Sequence, residues 1–161
     1  MGSYDTPDWA ESVTVSNNIA YVAAWDAGLQ IIDVSNPQKP ALLGSYNTPG
    51  SAYSVFVSIN IAYVAAWDAG LQIIDVTNPQ NPALLGSYDT PGTALSVFVS
   101  NNIAYVADVS SGLQIIDFLY AHGYYHRFPD AAAWDAGLQI IDVSNPQNPA
   151  LFGSYESPCS A

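Results

Sequence analysis

The chain has 161 residues, half of them hydrophobic and 12% aromatic, which is enough to build the core of one compact domain. Acidic residues number 14 against two basic ones, Lys39 and Arg127, and the formal net charge is -12. Nucleic acids and anionic membrane surfaces attract clustered Lys and Arg, so neither is an expected partner. No apolar run approaches the roughly 18 residues of a membrane-spanning helix, and no membrane insertion is expected.

Cysteine usage and the first residues add two expectations. Cys159 is the only cysteine, so an internal disulfide is excluded. Met1 is followed at once by a phrase that recurs later, so no signal peptide is expected in this chain. A start in the middle of a repeat is compatible with a processed product, a fragment of a longer protein or an engineered chain.

Two short phrases recur at a nearly constant interval. Gly-Ser-Tyr occurs at 2–4, 44–46 and 86–88, in steps of 42 residues, and returns at 153–155 after a step of 67. Self-similarity at a period near 40 residues is typical of propellers and solenoids. Leu-Gln-Ile-Ile-Asp repeats in the same way, starting at Leu29, Leu71, Leu113 and Leu138.

The second repeat predicts four short strands, which we name a to d. Strand a is Ser54–Ser58, strand b covers residues 61–67, strand c covers 71–76 and strand d is Ala83–Tyr88. The first three segments are rich in β-branched, aromatic and other apolar residues, and turn residues bound all four. The unit is therefore predicted to be a small sheet of four consecutive strands.

The loops of this repeat agree with that prediction. Asp68-Ala69-Gly70 is predicted to be the hairpin loop between strands b and c, with Gly70 in the left-handed conformation. Pro79 and Pro82 end strand c, because proline donates no backbone hydrogen bond. Strands b and c are apolar at nearly every position, as expected when both faces of a sheet are covered. The pattern indicates an all-β propeller of four-stranded antiparallel blades, about four per chain, with a β-solenoid as the alternative.

One phrase in the repeat resembles a known family. Ala-Tyr-Val-Ala followed by Gly-Leu-Gln-Ile-Ile-Asp-Val-Ser-Asn-Pro resembles the LVIVD-repeat proteins, a group of predicted β-propellers. The resemblance covers the first two repeats fully and most of the third and fourth. It implies a prokaryotic protein that is extracellular or attached to the cell surface, and it supplies no catalytic residues.

The repetition has one defect, after Asp117. Residues 118–130 replace the expected phrase, and the last step between repeats is 17 residues short, about the length of a d strand plus an a strand. We therefore expect a single repeat domain over 1–161 with an irregular segment at 118–130. Its full repeats are 2–43 and 44–85, and its truncated repeats are 86–117 and 131–155.

The defect also produces an uneven number of strands. A d-like strand at residues 2–6 would normally close the ring beside the last c strand, but residues 150–155 already claim that position. A strand without a partner in its own chain must pair elsewhere or remain an exposed edge. This predicts association between copies by strand complementation, as a closed oligomer or a filament. The residues assigned to it are Gly2, Ser3, Tyr4, Tyr120, Tyr124, Tyr125 and Phe128, the four aromatics having the alternative role of filling the gap left by the missing strands.

A ligand site is predicted where the b–c and d–a loops meet, since both emerge on the same face of a blade. Tryptophan stacks on sugar rings, and aspartate accepts hydrogen bonds from hydroxyl groups, so a glycan, a peptide or a cation would suit this face. The alternative is structural, with tryptophan packed between blades and aspartate bonded to its own turn. The candidate residues are Trp25, Asp26, Trp67, Asp68, Trp134, Asp135, Asp5 and Asp89.

Other polar residues are assigned structural roles. Asp33, Asp75, Asp117 and Asp142 end strand c, where they are expected to cap the following amides rather than bind calcium. His122 and His126 are four residues apart but lack the Glu of a zinc-protease helix, so no metal site is assigned. No catalytic residues and no cofactor are assigned.

The sequence therefore predicts a non-enzymatic scaffold or binding module that associates with itself. A carbohydrate-binding propeller that uses the Trp-Asp face is the alternative. A hydrolase is the third hypothesis, because paired acids for glycoside hydrolysis are compatible with so many carboxylates. Near-identical repeats favour the first two, since they multiply one surface rather than assemble one asymmetric site.

Overall fold

A computed structural model of the chain describes residues 2–101, 103–117, 138–142 and 150–155. These residues form thirteen β-strands and one 3-10 turn at Val109–Ser111. No helix in this part of the chain is long and apolar enough to cross a membrane. The strands are β1 Ser12–Ser16, β2 Ile19–Ala23, β3 Leu29–Asp33, β4 Ala41–Tyr46, β5 Ser54–Ser58, β6 Ile61–Ala65, β7 Leu71–Asp75, β8 Ala83–Tyr88, β9 Ser96–Ser100, β10 Ile103–Ala107, β11 Leu113–Asp117, β12 Leu138–Asp142 and β13 Ala150–Tyr155.

The first two repeats each form one four-stranded antiparallel sheet. Sheet 1 has the order β1-β2-β3-β4, and sheet 2 has the order β5-β6-β7-β8. Strands a and d of the second repeat have the predicted bounds, while b and c each end one or two residues earlier than predicted. The predicted all-β fold with four consecutive strands per unit is confirmed.

The loops have the predicted geometry as well. Gly28 and Gly70 lie in the left-handed region, with φ of 68° and 65°. An added Cβ at either glycine would overlap the backbone that follows strand d of the same sheet. Glycine is therefore required here both by its φ and by the close approach of the backbone.

Sheet 3 differs from the other two. It has five strands in the order β9-β10-β11-β12-β13, and β11 and β12 pair in parallel. Strand β12 is the c strand of the fourth repeat, and it lies where the third repeat has lost its own d strand. Strand β13 pairs with β12, so residues 150–155 occupy the predicted position beside the last c strand.

Residues 2–6 form no strand, so the predicted N-terminal strand is wrong for the isolated chain. A β-strand needs a neighbouring strand to pair with its backbone, and no c strand lies beside these residues. They nevertheless take the place of a d strand against sheet 1. Gly2 lies against the backbone of Pro37 and Gln38, as Gly44 of β4 lies against Pro79 and Gln80 of the next repeat.

The sheets stack face to face in chain order. One core cluster joins sheets 1 and 2 through Tyr21, Leu29 and Ile31 on one side and Val55 and Val64 on the other. The cluster between sheets 2 and 3 uses the equivalent residues 42 positions later, with Tyr63, Leu71 and Ile73 against Val97 and Val106. Among the described residues no core cluster joins sheet 3 to sheet 1.

Candidate functional site

The β2–β3 and β6–β7 loops each present a tryptophan followed by an aspartate. Trp25 and Trp67 have left-handed backbones, with φ of 44° and 49°. Each exchanges two backbone hydrogen bonds with the alanine before the next sheet, Trp25 with Ala52 and Trp67 with Ala94, at 2.9 to 3.2 Å. The loops between strands b and c therefore lie beside the connections between successive sheets, as the sequence predicts.

Four aromatic rings form a continuous line along this edge, which we call the aromatic row. Its members are Trp9, Trp25, Tyr53 and Trp67. The ring centroids are 5.6 Å apart for Trp9 and Trp25, 4.8 Å for Trp25 and Tyr53, and 4.8 Å for Tyr53 and Trp67. Trp9 is 70% exposed and Trp67 is 39% exposed, so the row presents ring surface to solvent.

Two members of the row were not predicted. Trp9 stands where the later repeats have Ser51 and Thr93, and Tyr53 stands where the other repeats have Glu11 and Leu95. Neither residue recurs at the 42-residue period, so a search for repeated residues passes over both. Aligning the repeats and noting an aromatic that occurs in only one of them would have identified them.

Carboxylates flank the row. The hydroxyl of Ser51 donates a hydrogen bond of 2.5 Å to Asp26 Oδ1, which holds this exposed carboxylate beside the connection to sheet 2. The pKa of Tyr53 is raised by burial and by the negative charges of Glu11 and Asp26. Asp68 is exposed in the equivalent loop of sheet 2, with its Oδ1 near the backbone of Gly50. The aromatic row therefore lies in a negative electrostatic field.

The remaining predicted ligand residues are more dispersed. Asp5 and Asp89 are exposed residues that follow Tyr4 and Tyr88 in the connections to sheets 1 and 3. Burial, and then the charges of Asp108 and Asp89, raises the pKa of Tyr88. The structure shows neither Asp5 nor Asp89 in contact with the aromatic row. Trp134 and Asp135 lie outside the described residues, as do Tyr120, Tyr124, Tyr125 and Phe128.

In sheet 3 the row ends and a buried carboxylate takes its place. Asp108 is fully buried at a position where the first two repeats have Ala24 and Ala66. It accepts hydrogen bonds from the Thr90 hydroxyl at 2.7 Å and from the Gly92 amide at 2.8 Å. Burial raises the pKa of Asp108, although these two hydrogen bonds oppose the shift. Sequence reasoning missed this residue, whose signal is an aspartate in a position that is otherwise alanine.

The aspartates that end strand c have the predicted capping role. Asp33 Oδ1 accepts a hydrogen bond from the Ser35 amide, and Asp75 Oδ1 accepts one from the Thr77 amide, both at 2.8 Å. Hydrogen bonds from the side chain and amide of Ser35 lower the pKa of Asp33, and Thr77 does the same for Asp75. These carboxylates lie at the end of the sheets opposite the aromatic row, and their acceptor capacity is used by their own loops.

Comparison with known families decides the identity of the repeat. A model of the LVIVD repeat matches the chain four times, at residues 9–48, 49–90, 91–118 and 131–157. The chain belongs to the LVIVD-repeat family. The resemblance seen in the sequence is thereby confirmed, and each of the first two matches encloses one complete four-stranded sheet.

Solved structures with a similar fold include two computationally designed proteins. The crystal structure of Ika4 matches with a TM-score of 0.64 at 15% identity, covering 94% of this LVIVD-repeat chain and 98% of Ika4. Ika8 matches with a TM-score of 0.55 at 14% identity, covering 89% of this chain and 48% of Ika8, so the chain spans about half of Ika8. At such identities the likeness concerns the fold alone. None of the curated proteins matches the chain.

Proposed function

We propose that this LVIVD-repeat chain is a non-enzymatic scaffold module whose copies associate head to tail. One observation carries the proposal. The two outer faces of the stack are the two sides of an interface that the chain already forms twice within itself. We name the outer face of sheet 1 the front face and the outer face of sheet 3 the rear face.

The front face has the apolar residues that are buried in the following sheets. Val13 of β1 is 60% exposed, whereas its equivalent Val55 is 3% exposed because it packs on sheet 1. Val15 is similarly exposed, and its equivalent Val99 is buried against sheet 2. These side chains are placed for contact with a preceding sheet, and the described part of the chain contains none.

The rear face has the complementary pattern. Phe56 of sheet 2 packs against the core that joins sheets 2 and 3, whereas its equivalent Phe98 is 58% exposed. Ile103, Tyr105 and Ile115 form a small cluster behind it. They correspond to Ile61, Tyr63 and Ile73, which cover the front of the next sheet. The rear face therefore presents the side of the interface that the front face lacks.

Polar contacts between the sheets repeat as well, so they define the expected register. The Ser12 hydroxyl accepts a hydrogen bond from the Val55 amide at 3.4 Å, and Ser54 accepts one from the Val97 amide at 3.3 Å. Continuing the series, Ser96 of one copy would accept from Val13 of the next. Val109 would then exchange the backbone hydrogen bonds with Ala10 that Trp67 makes with Ala94.

The N-terminal residues supply the strand that sheet 3 has lost. Tyr4 packs on Ala20, Val22 and Ile32 of the front face, as Tyr46 packs on the core of sheets 1 and 2. Residues 2–6 also line a cavity of about 460 Å³ on that face. In a head-to-tail pair they would lie beside β11 of the preceding copy as its d strand. Strand β12 pairs with that edge in the single chain, so it would have to leave when the copies join.

The proposal places each four-stranded sheet as one propeller blade. Copies that meet by this heterologous contact close into a ring when the rotation between them allows it, and otherwise form a filament. Stacked sheets with both faces covered support the blade assignment, and the open ends support continuation into another chain. The extracellular or cell-surface location implied by the resemblance remains part of the proposal.

Two charged substitutions test the direction of association. Val13→Asp disables the front face and Phe98→Asp disables the rear face, and both side chains are exposed enough for the monomer to remain folded. In sedimentation velocity we expect the wild-type mass to rise with concentration and each variant to remain a monomer. An equimolar mixture should form a dimer and stop there, since each variant retains one intact face.

The control is Ile59→Asp, which places the same charge on a hydrophobic side chain that is 86% exposed in the β5–β6 turn. It should associate like the wild type. A wild-type protein that remains monomeric at all concentrations would overturn the proposal. A Phe98→Asp variant that still associates would exclude the rear face, and circular dichroism confirms that each variant is folded.

A further inference from the structure

The aromatic row is not explained by the loops that hold it. In sheet 3 the equivalent of Trp67 is Val109, which keeps a left-handed backbone with φ of 34°. The Asp108 amide donates to the Gly112 carbonyl at 2.7 Å, as the Ala66 amide donates to that of Gly70 at 2.8 Å. The loop therefore forms in closely similar geometry without tryptophan.

Holding a large side chain in the left-handed region is also unfavourable. For residues other than glycine this backbone costs about 1 kcal/mol or more. A smaller residue closes the same loop, so neither the turn nor the backbone conformation requires the rings of Trp25 and Trp67. Their exposed alignment with Trp9 and Tyr53 calls for another role.

The charges around the row determine which ligand fits. Glu11 and Asp26 act on Tyr53 strongly enough to raise its pKa, and Asp26 and Asp68 are both exposed. In the part of the chain that the structure describes, Lys39 is the only basic side chain, and it lies in the β3–β4 loop at the opposite end of the sheets. The negative field along the row is thus not neutralised by a basic side chain of these residues.

Aromatic faces and carboxylates both attract cations. The electron-rich face of an indole or phenol ring binds a guanidinium or ammonium group, and Trp is the strongest partner. Arginine stacks its planar guanidinium on such rings while its N–H groups donate to carboxylates. A line of four rings spaced about 5 Å apart, with carboxylates beside it, offers several such contacts in succession.

We propose that the aromatic row binds arginine side chains of an extended basic peptide segment. The rings stack on the guanidinium groups, and Glu11 and Asp26 accept hydrogen bonds from them. Glycan binding, the prediction made from the Trp-Asp pairs alone, uses the rings but gives the carboxylates no charge to balance. The site does not depend on association between copies, because all four rings belong to one chain.

The test is a titration of the protein with an acetylated, amidated peptide of alternating Arg and Ser, followed by calorimetry and tryptophan fluorescence. Trp9→Ala should weaken binding about fivefold, the value of one exposed cation–π contact. Trp9 is exposed enough that the fold should survive. The matched control is Ile59→Ala, which removes an equally exposed hydrophobic side chain from the β5–β6 turn and should change nothing.

Nonspecific attraction to so acidic a protein needs its own control. Glu11→Gln and Asp33→Asn remove the same charge, the first beside the row and the second at the opposite end of the sheet. We expect only Glu11→Gln to weaken binding. Equal weakening by both would overturn the proposal, as would binding that Trp9→Ala does not change. Binding of neutral oligosaccharides without binding of the peptide would replace it with the glycan hypothesis.

Discussion

Val13 and Val55 occupy the same position in consecutive repeats, but one side chain is 60% exposed and the other is 3% exposed. The difference does not come from the repeats, since both residues lie in an a strand with serine at each end. It comes from what stands in front of each strand. Sheet 1 covers Val55, whereas only residues 2–6 stand before the face that contains Val13. The comparison shows that the ends of the stack are interior surfaces without a neighbouring sheet.

The largest expected difference is between two aspartate substitutions. Val55→Asp places a charge in the core between sheets 1 and 2, so the free energy of unfolding should fall by at least ~3 kcal/mol. Val13→Asp should change it by less than ~1 kcal/mol in the monomer, because this side chain is already hydrated. Urea denaturation monitored by circular dichroism measures both values. Equal losses would mean that the front face is covered in solution.

A smaller difference is expected for two leucines of strand c. Leu71 is fully buried between sheets 2 and 3, and its equivalent Leu113 is half-buried on the rear face. Leu71→Ala should lower the free energy of unfolding by ~2–3 kcal/mol, because it removes apolar contact and leaves a cavity. Leu113→Ala should cost about half of this or less. Thermal denaturation of the dilute protein tests the order, and a larger loss at Leu113 would contradict it.

The smallest expected effect concerns pH. Burial raises the pKa of Asp108, so above about pH 4, the ordinary Asp value, the folded state binds more protons than the unfolded state. This contribution stabilises the fold in acid and is lost as the pH rises through the folded pKa. Asp108→Asn should remove that decline. Urea midpoints measured between acidic and neutral pH check this, and unchanged pH dependence would show that Asp108 titrates normally.

Asp75 provides the opposite case in sheet 2. Its pKa is lowered by the hydrogen bonds from Thr77, so its contribution is present above the unfolded pKa and is lost as the pH falls through the folded pKa. Asp75→Asn should therefore reduce the loss of stability in strong acid. It should leave the range above about pH 4 unchanged, where Asp108 acts.

Much of the fold could be predicted from local patterns. Turn residues such as Gly70 and the proline pairs bound each strand, and β-branched, aromatic and other apolar runs fill the segments between them. The connection between β11 and β12 could not be predicted in this way. Identical Leu-Gln-Ile-Ile-Asp strands can pair with more than one neighbour, and the choice depends on which edge is open in three dimensions.

The candidate site was predicted only in part. Trp25 and Trp67 recur at the repeat spacing, so the sequence indicates them directly. Trp9 and Tyr53 occur in one repeat each, and their place in the row depends on how the connection between two sheets folds over the loop beside it. Asp108 was missed for a related reason, since a buried aspartate is recognised only when the Thr90 and Gly92 donors are seen around it.

By itself the sequence determined the LVIVD repeat, the four strands of each unit and the acidic, lysine-poor surface, because strand period, turn chemistry and charge are local properties. The tertiary structure decided which repeated residues are buried and which remain exposed. A valine, a phenylalanine or a leucine in this array has the same neighbours along the chain wherever it occurs. Only the presence or absence of an adjoining sheet makes it part of the core or part of a surface that is available to another chain.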